Sequence, residues 1–472
     1  MKTRLILLAA AALAGCASLP GRETAADGAA PKATVREAAT AAAAAAPPVW
    51  YAPLPAGSVS PGAAWTRIDE PALLPLLRAA EAASPTLSQA ALRIAQARAS
   101  RAAAAAVLLP QLGANASVQR GGNPAQSAAT TASAGLQLDW DLDLFGGASA
   151  ARQAAEARLA ATEAEAPALR LATAVETATT LLELRACEAQ ARLTRDDASS
   201  RAETARLTQV AARAGLRAPA DAALAQAGAA QARAQDADQR ARCELLVKSL
   251  VELTALNEPE LRTLLAAATG RLPQAPAPQL DTLPAALLQQ RPDLTAAAAR
   301  VVAAAAEQRQ AEAAQLPQVA LSGTLGGMRL WAAPASASGS SWSLGPLVMT
   351  LPLFDGGRRD ADAAAARAAY DDAVRQLQAN VRSAVREVEQ ALVRLDAAER
   401  RRTNASAAVQ GFEVSLAAVE ARWRGGLASL FELEDARRSA LSARASLVEL
   451  EREHLAAWIA LARALGGGWM AG

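Results

Sequence analysis

The chain contains the same sequence pattern twice, and the two copies lie 207 positions apart. The first copy has Pro85-Thr86-Leu87 and Leu109-Pro110-Gln111, and the second has Pro292-Asp293-Leu294 and Leu316-Pro317-Gln318. Each copy has the composition of a helix, two strands and two very long helices. Solenoid units are much shorter, at about 20 to 50 residues. We therefore predict a molecule built from two similar halves.

The first fifteen residues have the features of an export signal. Lys2 and Arg4 are followed by the apolar run 5–13, as in a secretory signal peptide. Cys16 comes directly after small residues, which resembles the lipobox of bacterial lipoproteins, where the cysteine is acylated after cleavage. We predict a lipoprotein signal peptide over 1–15 and lipidation of Cys16; the alternative is an ordinary signal peptide.

The remaining segments follow changes in composition. Residues 16–62 are rich in Ala, Pro and Gly and are predicted to form a lipid-anchored tether. The other predicted domains are the first repeat over 63–270, a Pro-rich linker over 271–284, the second repeat over 285–465 and a C-terminal tail over 466–472.

Two segments, 148–214 and 358–424, have nearly uninterrupted helical composition. At the rise of an α-helix, each would be roughly 100 Å long, which is too long for an ordinary globular domain. Apolar residues in the second segment follow steps of three and four, which is coiled-coil spacing. Because glycines at Gly215 and Gly425-Gly426 follow these segments, we predict that each repeat forms a long helical hairpin.

Four shorter segments resemble membrane strands. Apolar and polar residues alternate in 112–119 and 136–144, less regularly in 319–325, and poorly in 342–351. Alternating segments of about ten residues are typical of membrane barrels; the alternative is a soluble pair of hairpins. Segments 121–131 and 331–340 are predicted to be loops. Four strands cannot close a barrel wide enough for a channel, so several chains must share one.

The composition argues against several other functions. The net charge is only +2 and no basic patch is evident, so we predict no nucleic-acid partner. The single histidine, His454, is predicted to lie on the surface. The sequence has no phosphate-binding motif, metal-ligand cluster or nucleophile–base arrangement, so we predict neither enzyme activity nor a cofactor.

Three motifs carry a resemblance to a known family. They are Gln290-Arg291-Pro292-Asp293-Leu294, Pro352-Leu353-Phe354-Asp355-Gly356-Gly357-Arg358 and Ala464-Leu465-Gly466-Gly467-Gly468-Trp469. At these separations the chain resembles the TolC-like outer-membrane efflux protein family, and within it the lipid-anchored NodT-type branch. The resemblance covers nearly the whole mature chain.

The resemblance implies a mixed α and β membrane protein that assembles as a homotrimer. Three duplicated chains would form a 12-stranded β-barrel in the bacterial outer membrane, continued by a long α-helical coiled-coil barrel in the periplasm. In the family, the helical turns dock a periplasmic adaptor (membrane fusion) protein, which is coupled to an inner-membrane pump. The tip residues that match are Gly215, Leu216, Gly425, Gly426 and Leu427.

The family also places acidic residues at the closed periplasmic tip, just after the second turn. Glu432 and Asp435 occupy these positions, with Glu in place of the family's Asp at the first. Trp423 and Arg424 precede the turn and complete the predicted gate. A ring of six carboxylates would favour cations. The alternative is a solvated acidic helix start, which the helix dipole also favours.

Two cysteines beyond the signal allow a separate prediction. Cys187 and Cys243 are equally distant from Gly215 along the chain, so an antiparallel hairpin places them opposite each other. Because the periplasm is oxidising, we predict a disulfide between them; the alternative is a pair of buried thiols.

The sequence therefore favours a passive channel of a tripartite efflux system. The alternative is a periplasm-spanning coiled-coil lipoprotein or adaptor without channel activity. Asp139, Asp141 and Asp143 favour the channel, because they are predicted to face a polar lumen that a spacer does not need.

Overall fold

The computed structural model describes residues 34–43, 50–52, 68–123, 126–274, 291–332 and 335–466. The predicted signal peptide, Cys16, the linker beyond Gln274, Gln290 and Trp469 lie outside these residues. The chain divides into two compact units. The sheet unit contains residues 102–155 and 302–371, and the helical unit contains 35–101, 156–301 and 372–472.

The first repeat contains the predicted helix, two strands and two long helices, with two additional short helices. Its elements are α2 (Leu73–Ala83), α3 (Pro85–Ala106), β1 (Gln111–Asn123), β2 (Gln126–Leu142), α4 (Gly147–Arg213), α5 (Pro219–Thr254) and α6 (Glu258–Leu265), preceded by α1 (Val35–Ala43). The short helix α6 was not predicted. The start of α6 can nevertheless be recognised in the sequence. Asn257 caps the helix by accepting a hydrogen bond from the Glu260 amide, and Pro259 occupies its first turn.

The described part of the second repeat has the predicted order of one helix, two strands and two long helices. Its elements are α7 (Pro292–Ala313), β3 (Gln318–Ala332), β4 (Ala335–Thr350), α8 (Arg358–Arg424) and α9 (Leu430–Ala464). α4 and α8 each contain 67 residues and begin 211 positions apart. α5 and α9 are shorter, but they also begin 211 positions apart. No described helix has a segment long and apolar enough to cross a membrane.

The four strands form one antiparallel sheet in the order β1-β2-β3-β4. The register places apolar residues of neighbouring strands side by side: Ala114 pairs with Leu136, Leu136 with Leu325, and Leu325 with Trp342. The alternate positions are mostly small or polar, with Met328, Leu330 and Val348 as exceptions, and the hydroxyls of Ser117 and Ser133 are hydrogen-bonded at 2.8 Å. The sheet therefore has one apolar and one polar face, which is the predicted alternation.

A bulge explains why β4 alternates poorly in sequence. Leu321 pairs with Leu347, whereas Gly323 pairs with Leu344. Gly345 and Pro346 therefore lie opposite the single residue Ser322, as in a β-bulge. The extra residue returns Leu347 to the apolar face that Leu344 occupies. The predicted loops were too long, because strands continue through 121–123, 126–131 and 335–340; small Ala, Ser and Thr side chains do not interrupt a ladder made by the backbone.

The helical unit has a core formed by several segments that are distant in sequence. Leu76 and Leu77 of α2 pack with Leu184 of α4, Leu250 of α5 and Leu392 of α8, and all five are buried. Trp50 joins the same core, and the carboxylate of Glu389 accepts hydrogen bonds from the amides of Tyr51 and Ala52 at 2.8 and 2.7 Å. Residues 50–52 are thereby fixed to the helical unit.

The two repeats differ sharply in the burial of the helix that precedes their strands. α7 is buried at ten hydrophobic positions and at Gln308; the hydrophobic ones are Leu294, Ala296, Ala297, Ala298, Ala299, Val301, Ala303, Ala304, Ala305 and Ala306. In α3, which has the same length, only Ala90 is buried. The strand positions that follow differ likewise, since Leu112 is 67% exposed and its repeat equivalent Val319 only 6%. The first repeat thus exposes a surface whose counterpart is covered.

Candidate gating site at the helical turns

The two long hairpins turn in the same way. In the first turn the Leu216 amide donates to the Ala211 carbonyl at 2.9 Å, and in the second the Leu427 amide donates to the Arg422 carbonyl at 2.8 Å. Gly215 and Gly426 have positive φ angles of 72° and 76°, which glycine adopts without strain. Both turns are therefore Schellman motifs 211 positions apart. Leu216 and Leu427 are exposed at their tips.

The helices after the turns begin differently. The hydroxyl of Ser429 accepts a hydrogen bond from the Glu432 amide at 3.1 Å, and the Glu432 carboxylate accepts one from the Ser429 amide at 2.7 Å. These reciprocal bonds form a capping box at the start of α9. The equivalent residue before α5 is Ala218, which provides no side-chain cap. Only the second hairpin therefore has a side-chain cap at its tip.

Glu432, the first predicted gate residue, thus has a structural role within the single chain. Its carboxylate also lies 3.6 Å from the guanidinium of Arg422. The hydrogen bond from the Ser429 amide, with help from the charge of Arg422, lowers the pKa of Glu432 below its ordinary value. Glu432 is accordingly ionised at neutral pH, as an acidic constriction requires.

The other predicted gate residues have separate contacts. Asp435 forms an exposed ion pair with Arg438 at 3.7 Å, and Arg424 pairs with Glu420 at 3.4 Å. Trp423 instead packs against the small apolar cluster near the turns, whose buried members are Ala205, Ala225, Ala229, Leu430 and Leu433. In the single chain, Trp423 contributes to packing between the hairpins, while Glu432 and Asp435 lie on the same helix three residues apart.

A group of charged residues near the tip links α4 to α8 and α9, and it was not predicted from the sequence. Arg201 of α4 pairs with Glu434 of α9 and with Asp197. Arg437 of α9 donates to the Thr204 hydroxyl at 2.5 Å and pairs with Glu420 of α8 at 3.4 Å. These contacts join the two hairpins just beyond the turns.

The predicted cysteine pair is close in space. The Cα atoms of Cys187 and Cys243 are 5.6 Å apart, within the range of a disulfide, and their sulfur atoms are in bonding contact. The repeat offset of 211 places Ala398 and His454 at the equivalent positions of the second hairpin.

His454 is only 18% exposed and lies 3.5 Å from the Glu399 carboxylate. The prediction that His454 is a surface residue was therefore wrong. Burial lowers its pKa despite the charge of Glu399.

Another feature that the sequence did not indicate is a buried ion cluster around Arg185. Its guanidinium donates to both carboxylate oxygens of Glu70 at 3.0 Å and to the Leu265 carbonyl at 2.9 Å. It also pairs with Glu188 at 3.0 Å. Burial acts to lower the pKa of Arg185, but the hydrogen bonds and charges of Glu70 and Glu188 raise it above its ordinary value.

The predicted lumenal aspartates do not share one environment. Asp139 and Asp141 lie in β2 on the polar face of the sheet. Asp143 follows the strand and accepts hydrogen bonds from the amides of Ala148 and Ser149 at 3.0 and 2.8 Å, so it caps α4 instead. Within the described ranges, no three His, Cys, Asp or Glu side chains are placed to hold a metal ion.

The duplicated order of helix, hairpin strands and helical hairpin is also found in known proteins. The family description "Outer membrane efflux protein" matches residues 76–256 and 283–467, which together are most of the chain. The chain belongs to the outer membrane efflux protein family. The resemblance predicted from the three sequence motifs is thereby confirmed.

Individual members of the outer membrane efflux protein family are similar over most of their length. Outer membrane protein OprJ of Pseudomonas aeruginosa is 30% identical over 393 residues, which are 81% of each chain. Nodulation protein T of Rhizobium leguminosarum bv. trifolii is 28% identical, covering 88% of this chain and 89% of its own. The crystal structure of VceC from Vibrio cholerae superposes with a TM-score of 0.74 at 27% identity, covering 86% of this chain and 98% of its own.

Proposed function

We propose that three copies of this chain form an outer-membrane channel, the passive exit duct of a tripartite efflux system. The observation that carries this proposal is the exposed apolar face of the sheet, where Trp342 is 78%, Leu344 72% and Leu347 63% exposed. Large exposed apolar surfaces mark interaction with a membrane or a partner. Since the other face is polar, the sheet suits a barrel wall between lipid and a water-filled lumen.

The four-stranded sheet of one chain has two unpaired edges, so it cannot close into a barrel by itself. β1 and β4 are the edges of the described sheet, and exposed edges invite pairing with another chain. Pairing β4 of one copy with β1 of the next would join three sheets into twelve strands without an edge. Lipid attached to Cys16 would anchor each copy in the same membrane.

The duplication supports the same assembly at the level of individual residues. Within one chain, a side chain at Gly147 would come within 3.4 Å of the Ala313 side chain. The equivalent positions are Arg358 at the start of α8 and Ala106 at the end of α3. Because α3 is exposed where α7 is buried, α3 and Arg358 of neighbouring copies are expected to meet.

A cross-linking experiment tests this arrangement. We expect Ala106→Cys/Arg358→Cys in membranes to yield covalent dimers and trimers on oxidation or with a short bismaleimide. Gly147→Cys/Ala313→Cys is the matched control, because its link forms within one chain and leaves the apparent mass unchanged. Non-reducing electrophoresis separates the two. Monomers alone from the first variant, beside a linked control, would contradict the trimer.

The periplasmic end of the duct is assigned to the two turns. Glu432 and Asp435 from three copies would form a ring of six carboxylates, which favours cations and binds them at the constriction. The contacts of Arg201 and Arg437 with Glu434 and Glu420 hold the hairpins together near this ring. Leu216 and Leu427, exposed beside Gly215, Gly425 and Gly426, would dock a periplasmic adaptor coupled to an inner-membrane pump.

The alternative function, a coiled-coil spacer or adaptor without a pore, predicts a different result in planar lipid bilayers. The purified wild-type protein should show discrete single-channel currents if three copies enclose a lumen. A folded trimer that never conducts would favour the spacer. The apolar sheet face argues against that outcome, because a periplasmic spacer has no lipid to cover it.

A further inference from the structure

The sheet carries an unusual distribution of charge over most of its length. Residues 111–138 and 318–354 contain no Asp or Glu, and their only charged residues are Arg120 and Arg329. Both arginines are exposed. Neither has a carboxylate partner among the described residues. Each arginine lies three residues from the end of its strand, so this end of the sheet carries positive charge without a compensating carboxylate.

Both arginines lie on the apolar face rather than the polar one. Val118 pairs with Ala132 and Ala132 with Arg329, while Arg120 pairs with Thr130 and Thr130 with Trp331. Arg120 and Trp331 thus share one row of the sheet, and Arg329 lies in the next row on the same face. From strand spacing and rise, the Cα atoms of Arg120 and Arg329 are about 12 Å apart.

The side chain of Arg329 leans toward the row of Arg120. Its guanidinium carbon lies 5.3 Å from the centroid of the Trp331 ring, a cation–π distance that leaves the N–H edges free to donate. A shallow cavity of about 440 Å³ beside Arg329 is lined by Ala116, Ala134 and Gly327 of the next row and also by Ser117, Ser133 and Met328. The guanidinium of Arg329 thus borders a groove lined mainly by small residues.

The position of these rows matches a membrane boundary. The apolar face of β2 extends from Leu142 to Ala132, or roughly 33 Å of strand, which is about 25 Å along the membrane normal for a tilted strand. This is the height of the apolar band of outer-membrane barrels. Arg120, Arg329 and Trp331 therefore fall at the level of lipid headgroups, where tryptophan is enriched.

We propose that Arg120 and Arg329 bind the phosphate groups of a lipid headgroup in the outer leaflet, with acyl chains lying in the groove below. This inference rests on the proposed function, since it requires the apolar face to meet lipid. Arginine suits the task because its planar donors bind phosphate oxygens in pairs. A lipid with two phosphates on one headgroup fits two arginines in adjacent rows.

The test is native mass spectrometry of the detergent-purified full-length trimer. The probe is a bisphosphorylated, acylated glucosamine disaccharide, and the comparison lipid has the same acyl chains without phosphates. We expect the phosphorylated probe to bind, and Arg120→Gln/Arg329→Gln to weaken it by about tenfold or more. Arg375→Gln/Arg394→Gln removes the same charge from exposed positions of α8 and should leave binding unchanged.

Three outcomes would overturn the proposal: equal binding of the dephosphorylated lipid, equal weakening by the control variant, or unchanged binding in Arg120→Gln/Arg329→Gln. Displacement of the probe by inorganic phosphate alone would also overturn it, because the site would then recognise the free anion. Single-channel recording of the same variant separates the two proposals. Normal channels with unchanged lipid binding refute the lipid site alone, whereas the absence of channels from wild type refutes the proposed function.

Discussion

Replacement of Glu70 by alanine should destabilise the N-terminal part of the helical unit by about 3 to 5 kcal/mol. The variant leaves the guanidinium of Arg185 buried without its main partner, and removing one member of a buried ion pair costs about this much. In the wild type, the side chains of Arg185 and Glu70 are 0% and 2% exposed. The Glu188 carboxylate and the Leu265 carbonyl remain, but they cannot replace the two lost hydrogen bonds.

The measurement is hydrogen exchange of the α2 amides, which follow Glu70 directly. A loss of this size should speed exchange through local opening by about a hundredfold or more. The neighbouring residue provides a matched control, since Asp69 forms an exposed pair with Arg271 at 3.2 Å. Exposed pairs contribute at most about 1 kcal/mol, so Asp69→Ala should have a small effect. Equal exchange rates in the two variants would show that the buried cluster is not stabilising.

Loss of the disulfide between Cys187 and Cys243 should lower the free energy of unfolding of the first hairpin by several kcal/mol. The two residues are 56 positions apart, and closing a loop of this length stabilises a fold by about 4 kcal/mol in the chain-entropy account. We therefore expect the Cys187→Ala/Cys243→Ala variant to unfold at a clearly lower denaturant concentration than the oxidised wild type. Peptide mass spectrometry without reductant should first detect the linked peptides; two free thiols in the exported protein would refute the disulfide.

The second hairpin is an internal control for this prediction. It has Ala398 and His454 where the first has cysteines, so reductant cannot act on it directly. Reduction of the wild type should speed hydrogen exchange in α4 and α5 but leave α8 and α9 unchanged. In the double alanine variant, reductant should have no effect anywhere. Faster exchange in both hairpins would mean that reduction acts by some other route.

The sequence predicted the architecture because the signals were periodic. Alternation at period two gave the strands, steps of three and four gave the long helices, and the repeat placed both twice. The prediction was weakest in 342–351, where the bulge at Gly345 and Pro346 shifts the alternation by one residue. A glycine followed by proline within an alternating segment was the available signal.

The ion cluster of Arg185 was not predictable in the same way. Arg185 lies in a helical run whose neighbours include Glu183 and Glu188, so its sequence context is that of a solvated helix face. Its burial depends on Glu70, 115 residues away, and on the end of α6, which was not predicted. Long-range pairing of this kind has no local signature in a single sequence.

Glu432 shows how one short pattern can support two interpretations. The spacing Ser429 to Glu432 is that of a capping box, while the family resemblance assigns Glu432 to the gate. Within one chain the capping contacts are present, and the gate requires neighbouring copies. The two roles are compatible, because the carboxylate remains ionised while it accepts the hydrogen bond from the Ser429 amide.

This double role determines how the gate should be tested. Glutamine also serves at the third position of a capping box, so Glu432→Gln removes the charge and preserves the cap. Glu432→Gln/Asp435→Asn therefore neutralises the proposed ring with little change in shape. Asp221→Asn is the matched control, because Asp221 occupies the position equivalent to Glu432 in the first hairpin.

The most direct measurement is single-channel recording of the purified wild type, the double variant and the control in planar bilayers. The wild-type trimer should show a small, cation-selective conductance that divalent cations block at the periplasmic side. In Glu432→Gln/Asp435→Asn the conductance should rise, and cation selectivity and divalent block should weaken, because six carboxylates are lost. Asp221→Asn should behave as wild type. A double variant with unchanged conductance, selectivity and block would contradict the acidic gate, and folded trimers without current would contradict the channel itself.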